Sequence, residues 1–70
     1  MYPTLVRDLE NKLTSKEWNL VSHYIYKAEG YGEAGKDSQA RECLLDAIAV
    51  ASQKGENNAA GKIQYYLRFY

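Results

Sequence analysis

The chain has 70 residues, with nine basic and nine acidic side chains, one cysteine and one histidine. Its hydrophobic share of 46% and aromatic share of 13% exclude a disordered tail, and no apolar run approaches the length of a transmembrane helix. One cysteine excludes an internal disulfide and a four-ligand zinc site. We therefore expect residues 1–70 to form a single domain held by packing alone, without metal or cofactor.

Residues 4–13 predict a first, short helix with one apolar stripe, formed by Leu5, Val6, Leu9 and Leu13. Pro3 precedes it, at or just before the first turn, where a missing N–H group costs nothing. Arg7 and Asp8 interrupt the apolar stretch at once, so the pattern is not that of a secretory signal. The expected location is a reducing cytoplasm.

The segment Thr14-Ser15-Lys16-Glu17 places a hydroxyl three residues before a glutamate, which predicts a capping box at the start of a second helix. This helix should run to about Ala34 and end at Gly35, since glycine readily takes the left-handed conformation. One apolar row of this helix is formed by Trp18, Val21, Ile25 and Ala28. An adjacent row is formed by Leu20, Tyr24 and Tyr31.

Asp37 and Ser38 are the predicted caps of a third helix, which should end at Lys54-Gly55. Its core row is Ala40, Cys43, Leu44, Ala47, Ile48 and Ala51. Further apolar residues extend this surface almost round the axis, namely Leu45, Ala49 and Val50. We therefore expect the third helix to be the central element, sandwiched between its neighbours.

Asn57 or Asn58 is the predicted cap of a fourth helix that runs to the last residue. Its apolar positions are Ala59, Ala60, Ile63, Tyr66, Leu67 and Tyr70. No strand-like alternation competes with these assignments, and the short connections favour antiparallel packing of successive helices. The predicted fold is an all-α bundle of four short antiparallel helices.

The second and third helices carry an ordered series of small, aromatic and turn residues: Ala28, Tyr31, Gly35, Ala40, Leu44 and Ala47. This series resembles the tetratricopeptide repeat, a helix-turn-helix unit with a period of about 34 residues. Tyr31 recurs at Tyr65, one such period later, and the resemblance covers residues 18–70. It implies a tetratricopeptide-like fold. An ordinary small helical bundle is the alternative, because alanine-rich hairpins converge on the same pattern.

Catalytic and nucleotide-binding patterns are weak in this sequence. A nucleophilic pair would need His23 and Cys43 in contact together with an orienting third group, and Cys43 lies on an apolar row. Gly30-Tyr31-Gly32 lacks the preceding strand and the further residues of a phosphate-binding loop. We therefore expect no enzymatic activity.

The excess of aromatic residues is the most informative feature for function. Tyrosine and tryptophan are enriched at protein interfaces, and seven tyrosines exceed what a core of this size needs. The predicted partner-binding residues are Trp18, Tyr26, Tyr65, Tyr66, Phe69 and Tyr70. The alternative is that these rings, with Tyr2, Tyr24 and Tyr31, merely cover a thin core.

These observations predict a non-enzymatic protein-interaction module, an accessory, adaptor, inhibitor or co-chaperone type of protein. Its partner would be another protein or a second copy of the chain, and a homo-oligomer is expected. A chain of this size that starts at Met1 is typical of small phage or mobile-element gene products. No membrane contact is expected, and nucleic acid is an unfavoured partner because lysine and arginine do not cluster in the sequence. The alternative function is an oligomeric regulator that binds nucleic acid or a nucleotide.

Overall fold

The computed structural model describes residues 4–70, and these form four α helices followed by a short 3₁₀ helix. No β strand occurs in this part of the chain, which confirms the all-α class. The elements are α1 (Leu5–Lys12), α2 (Ser15–Glu33), α3 (Asp37–Gln53), α4 (Asn57–Tyr65) and the 3₁₀ helix (Tyr66–Phe69). The predicted roles of Tyr2 and Pro3 lie outside the described residues.

The start of α2 is the predicted capping box. The Thr14 hydroxyl oxygen accepts the Glu17 N–H at 3.2 Å, and Glu17 Oε1 accepts the Thr14 N–H at 2.8 Å. Two N–H groups that the helix itself cannot satisfy are thereby paired, so the break between α1 and α2 is fixed by local sequence.

The turns after α2 and α3 have the same geometry. Gly35 and Gly55 take φ values of 77° and 76°, in the left-handed region where a side chain is strained. The following residues, Lys36 and Glu56, each donate an N–H back across the turn at 2.8 Å, to the carbonyls of Tyr31 and Ala51. This is the Schellman pattern, and it confirms both predicted helix ends.

The predicted N-caps of α3 and α4 are wrong by one residue or more. Asp37 and Asn57 are the first residues of their helices, and Lys36 and Glu56 occupy the cap positions without a side-chain cap bond. The physical reason lies in the turns. A left-handed glycine followed by one connecting residue already returns the chain to helical geometry, which leaves no extended position for a polar cap.

The core draws fully buried side chains from all four helices, the largest being Leu5, Leu9, Val21, Ile25, Leu44 and Ile63. α3 packs on both α2 and α4, so it is central as predicted. Its outer side is nevertheless uncovered: Leu45 is 45% exposed and Ala49 is also exposed. The apolar residues of α3 therefore do not all face neighbouring helices.

The prediction that the fourth helix continues to the last residue is wrong. α4 ends at Tyr65, and the chain winds more tightly through the 3₁₀ helix. Arg41 on α3 donates from Nη1 to the carbonyl oxygen of Leu67 at 2.9 Å, which satisfies a backbone group of this segment from outside. The Tyr70 side chain then lies against Gly32 on α2.

Candidate interaction surface

Three aromatic rings meet where α4 passes into the 3₁₀ helix, and we call Tyr65, Tyr66 and Phe69 the C-terminal aromatic cluster. The ring centroids of Tyr65 lie 5.2 Å from Tyr66 and 5.9 Å from Phe69, and those of Tyr66 and Phe69 lie 6.1 Å apart. These separations are those of stabilising aromatic pairs. The cluster therefore presents its rings as one packed unit.

Tyr66 is the buried member of this cluster. Its side chain is only 2% exposed and belongs to the hydrophobic core, so the prediction that it lies on the partner-facing surface is corrected. Its hydroxyl accepts a hydrogen bond from Lys12 Nζ at 2.8 Å and lies 3.5 Å from Asp8 Oδ2, to which it donates. The bond to Tyr66 raises the pKa of Lys12. Tyr66 is thus a buried ring against which the Tyr65 and Phe69 rings pack.

Tyr65 and Phe69 are the accessible rings of the cluster, 48% and 36% exposed. The Arg68 guanidinium lies 4.4 Å from the Tyr65 ring centroid, within cation–π distance. The surface at this end of the molecule therefore combines two open apolar rings with a cation stacked on one of them.

Tyr70 occupies a different position from the cluster. A Cβ atom placed on Gly32 would come within 2.7 Å of its ring, so the ring lies directly on the bare backbone of α2. Its side chain is half-buried and packs against the core. Much of Tyr70 is therefore engaged within the molecule, unlike Tyr65 and Phe69.

The two predicted partner-binding residues of α2 form a second, smaller aromatic group. The Trp18 and Tyr26 ring centroids lie 6.0 Å apart. Trp18 is half-buried against the core, whereas Tyr26 is 59% exposed. Among the rings of residues 4–70, no ring contact joins this pair to the C-terminal aromatic cluster. The predicted site residues thus divide between two places.

Sequence patterns do not indicate two features of the surface. The apolar pattern of α3 predicts that Leu45 is covered, yet it is exposed, and the neighbouring Asp46 is the sequence signal for that exposure. Lys12 reaches the C-terminal aromatic cluster from α1, and its Nζ lies 5.8 and 5.1 Å from the ring centroids of Tyr65 and Tyr66. No sequence signal indicates this contact, because it joins the two ends of the chain.

The structure keeps His23 and Cys43 in different environments. Cys43 is buried, and desolvation is the main cause that raises the pKa of its thiol. His23 is exposed, with its ring 5.6 Å from that of Tyr24. The contacts described for residues 4–70 include none between the two, so the Cys-His pair that nucleophilic catalysis needs is not assembled.

Two other kinds of feature are absent from residues 4–70. No group of three or more histidine, cysteine, aspartate or glutamate side chains is placed to hold a metal ion. No helix in this range combines the length and the apolar character needed to cross a membrane.

Comparison of the chain with protein-family models, with curated proteins and with solved structures finds no match. The resemblance of residues 18–70 to the tetratricopeptide repeat therefore stays a prediction.

Proposed function

We propose that this chain is a non-enzymatic protein-interaction module that binds its partner through the exposed rings of the C-terminal aromatic cluster. The observation that carries the proposal is the pairing of Tyr65 and Phe69. Their rings lie 5.9 Å apart, both are open to solvent, and both contact the buried Tyr66.

This arrangement supports binding because the rings are already ordered. Interface energy concentrates in a few aromatic and arginine anchors, and an anchor that is held in place loses little conformational freedom when it binds. The Arg68 guanidinium lies 4.4 Å from the Tyr65 ring centroid, and arginine, like tyrosine, is enriched among such anchors. The exposed Tyr26 on α2 is a candidate for a separate, weaker contact.

A second copy of the chain is the first partner to test, because a domain of this size gains stability by burying apolar surface. Light scattering at micromolar concentration should detect a dimer or larger oligomer. Phe69→Ala and Tyr65→Ala should each weaken association by about 1 kcal/mol or more. His23→Ala, an exposed ring outside the cluster, should leave it within about 0.5 kcal/mol of wild type.

A heterologous partner is tested by affinity capture from the source cell followed by mass spectrometry. The Tyr65→Ala, Phe69→Ala double variant should lose the captured protein, whereas His23→Ala should retain it. A monomeric chain whose captured proteins are the same for all variants would contradict the proposal. Circular dichroism of each variant must show unchanged helicity, so that lost binding is not lost folding.

A further inference from the structure

An open cleft of about 580 Å³ lies between the end of α1 and one face of α4. Its walls are formed by Lys12, Asn57, Asn58, Gly61, Lys62 and Tyr65. Except for Lys12, these residues recur along α4 at the spacing of a single helical face. The volume is within the range of small-molecule sites, which is about 300 to 1,000 Å³.

Gly61 leaves the middle of this cleft bare. It lies inside α4, where glycine weakens a helix relative to alanine. A Cβ atom at this position would meet no heavy atom within 4 Å, so packing does not require glycine here. The residue instead keeps open the space between the two asparagines at the start of α4 and the Tyr65 ring.

Two ammonium groups border the cleft, and neither has a carboxylate of residues 4–70 within ion-pair distance. Lys12 Nζ is held at 2.8 Å by the Tyr66 hydroxyl, and Lys62 Nζ lies 3.5 Å from the Lys12 carbonyl oxygen. Within residues 4–70, the ion pairs at or under 4.0 Å involve neither of these lysines. Each ammonium group donates to a neutral acceptor, and its attraction to a carboxylate, Asp8 for Lys12 and Glu17 for Lys62, acts over a longer distance.

The carboxylates in this region make their short contacts with groups other than the two lysines. Asp8 lies 4.0 Å from Arg7 Nε and accepts from the Tyr66 hydroxyl. Glu17 accepts from the Thr14 N–H and the Asn58 amide, and Glu56 pairs with Lys16 at 3.5 Å. The charged residues in the cleft wall are therefore the two lysines, whose charges Asp8 and Glu17 partly offset from outside the wall.

The remaining walls suit a flat, polar ring. Tyr65 contributes an aromatic side chain that is 48% exposed, and a ligand ring can stack on the part of it that Arg68 does not cover. Asn57 and Asn58 contribute amide groups, which carry both hydrogen-bond donors and acceptors. One end of the cleft thus favours an anion and its sides favour a heteroaromatic ring.

We propose that this cleft binds a small phosphate-bearing molecule with a flat ring, of the nucleoside monophosphate class. The phosphate lies between Lys12 and Lys62, and the base lies against Tyr65 over the bare backbone of Gly61. The site uses residues of α1 and α4 and shares Tyr65 with the proposed protein interface, so it is tested through Lys62 and Gly61, whose substitution leaves the aromatic rings in place.

The test is a titration of isotope-labelled protein followed by amide NMR shifts, with adenosine monophosphate, inorganic phosphate and adenosine as separate probes. The monophosphate should shift the amides of residues 57–65 and bind more tightly than either fragment. Lys62→Gln should weaken its binding at least about tenfold, because a charged hydrogen bond is lost. Lys27→Gln, which removes an exposed lysine from α2, should leave the affinity unchanged.

Gly61→Leu provides a second test that does not remove charge. Because a Cβ atom at residue 61 meets no heavy atom within 4 Å, this variant should fold normally, and its longer side chain should block the cleft. Gly30→Leu is the matched control, since a Cβ at Gly30 also meets nothing within 4 Å and lies on α2. Equal binding by both variants, or no shifts with millimolar monophosphate, would overturn the proposal. Tighter binding of a single-stranded oligonucleotide, with shifts that extend beyond the cleft, would also overturn it in favour of a nucleic-acid surface.

Discussion

Glu17 shows how a single side chain can serve both local and tertiary structure. Its Oε1 closes the capping box at Thr14, while its Oε2 accepts a hydrogen bond from the Asn58 amide at 3.2 Å. The first role was predictable, because it depends on residues three positions apart. The second was not, because Asn58 is brought to α2 only by the packing of α4. Glu17 is 5% exposed and so loses its hydration in exchange for these bonds.

The hydrogen bonds to Glu17 should make the protein less stable at acidic pH. The Thr14 N–H, followed by the Asn58 amide, lowers the pKa of this carboxyl below its ordinary value of 4.5. The contribution of ionised Glu17 to the free energy of unfolding is therefore complete above about pH 4.5. It is lost as the pH falls through the lower pKa of the folded state. Urea denaturation at a series of pH values, from neutral to about pH 3, measures this dependence. The free energy of unfolding should fall less for Glu17→Gln than for wild type. Glutamine keeps the neutral cap but not the charge, so the wild type should be the more stable protein near neutrality and the two should converge near about pH 3.

The exposed Glu42 on α3 offers a matched control, and Glu42→Gln should keep the acid dependence of the wild type. If Glu17→Gln lost stability as steeply as wild type between pH 4.5 and pH 3, the assigned role of Glu17 would be refuted.

Cys43 is the residue whose reactivity separates packing from catalysis. Burial is the main cause that raises the pKa of its thiol, so little thiolate is present near neutrality. A thiol reagent should therefore label Cys43 slowly in the folded protein and rapidly in denaturant, as measured by mass spectrometry. Fast labelling of the native protein, together with an activity that both Cys43→Ser and His23→Ala abolish, would restore an enzymatic interpretation.

At the scale of elements, α1 depends on its neighbour more than its sequence suggests. Thr4 makes no side-chain cap bond at the start of α1. Instead, Glu29 on α2 accepts the Val6 N–H at 3.0 Å through Oε1, so a carboxylate of another helix satisfies the first turn. The apolar stripe of α1 was predictable from spacing, but this cap joins residues twenty-three positions apart.

Glu29→Ala should destabilise the protein by about 1 kcal/mol, as the loss of a helix cap does. Thermal or urea denaturation measures this change, and hydrogen exchange should show faster opening of the α1 amides. Glu42→Ala, which removes an exposed glutamate from α3, is the control and should change stability by no more than about 0.5 kcal/mol. Equal effects of the two substitutions would show that Glu29 does not cap α1.

The α2 and α3 helices pack against each other, and three small residues on them, Ala28, Ala40 and Ala47, are fully buried. We expect these alanines to lie at the crossing of the two helices. Ala47→Leu should overpack this crossing and cost about 1 to 3 kcal/mol, measured as a lower urea midpoint. Ala49→Leu, at an exposed position of the same helix, should leave the midpoint nearly unchanged. An unchanged midpoint for Ala47→Leu would refute close packing at this crossing.

For the whole molecule, sequence patterns predicted α2, α3 and the turns after them better than the contacts that the two ends of the chain make. The turns at Gly35 and Gly55 depend on local backbone preference, and the buried rows of α2 and α3 depend on helical periodicity, so both could be predicted. The contacts of Lys12 with the C-terminal aromatic cluster and of Tyr70 with Gly32 join distant segments. They depend on how all four helices assemble, which local sequence patterns do not show.

The contact of Tyr70 with Gly32 fastens the C-terminal end of the chain to α2, and a pair of glycines tests it. Gly30→Ala should stabilise the protein by about 0.5 to 1 kcal/mol, because helix propensity rises and the new methyl meets nothing within 4 Å. Gly32→Ala has the same gain in propensity, but its methyl would lie 2.7 Å from the Tyr70 ring, which must move away. It should therefore stabilise less than Gly30→Ala, or destabilise. In a Tyr70→Ala background the obstacle is gone, and the two alanine substitutions should become equivalent in urea denaturation. If Gly32→Ala already matched Gly30→Ala in the wild-type background, the Tyr70 ring would not be seated on Gly32.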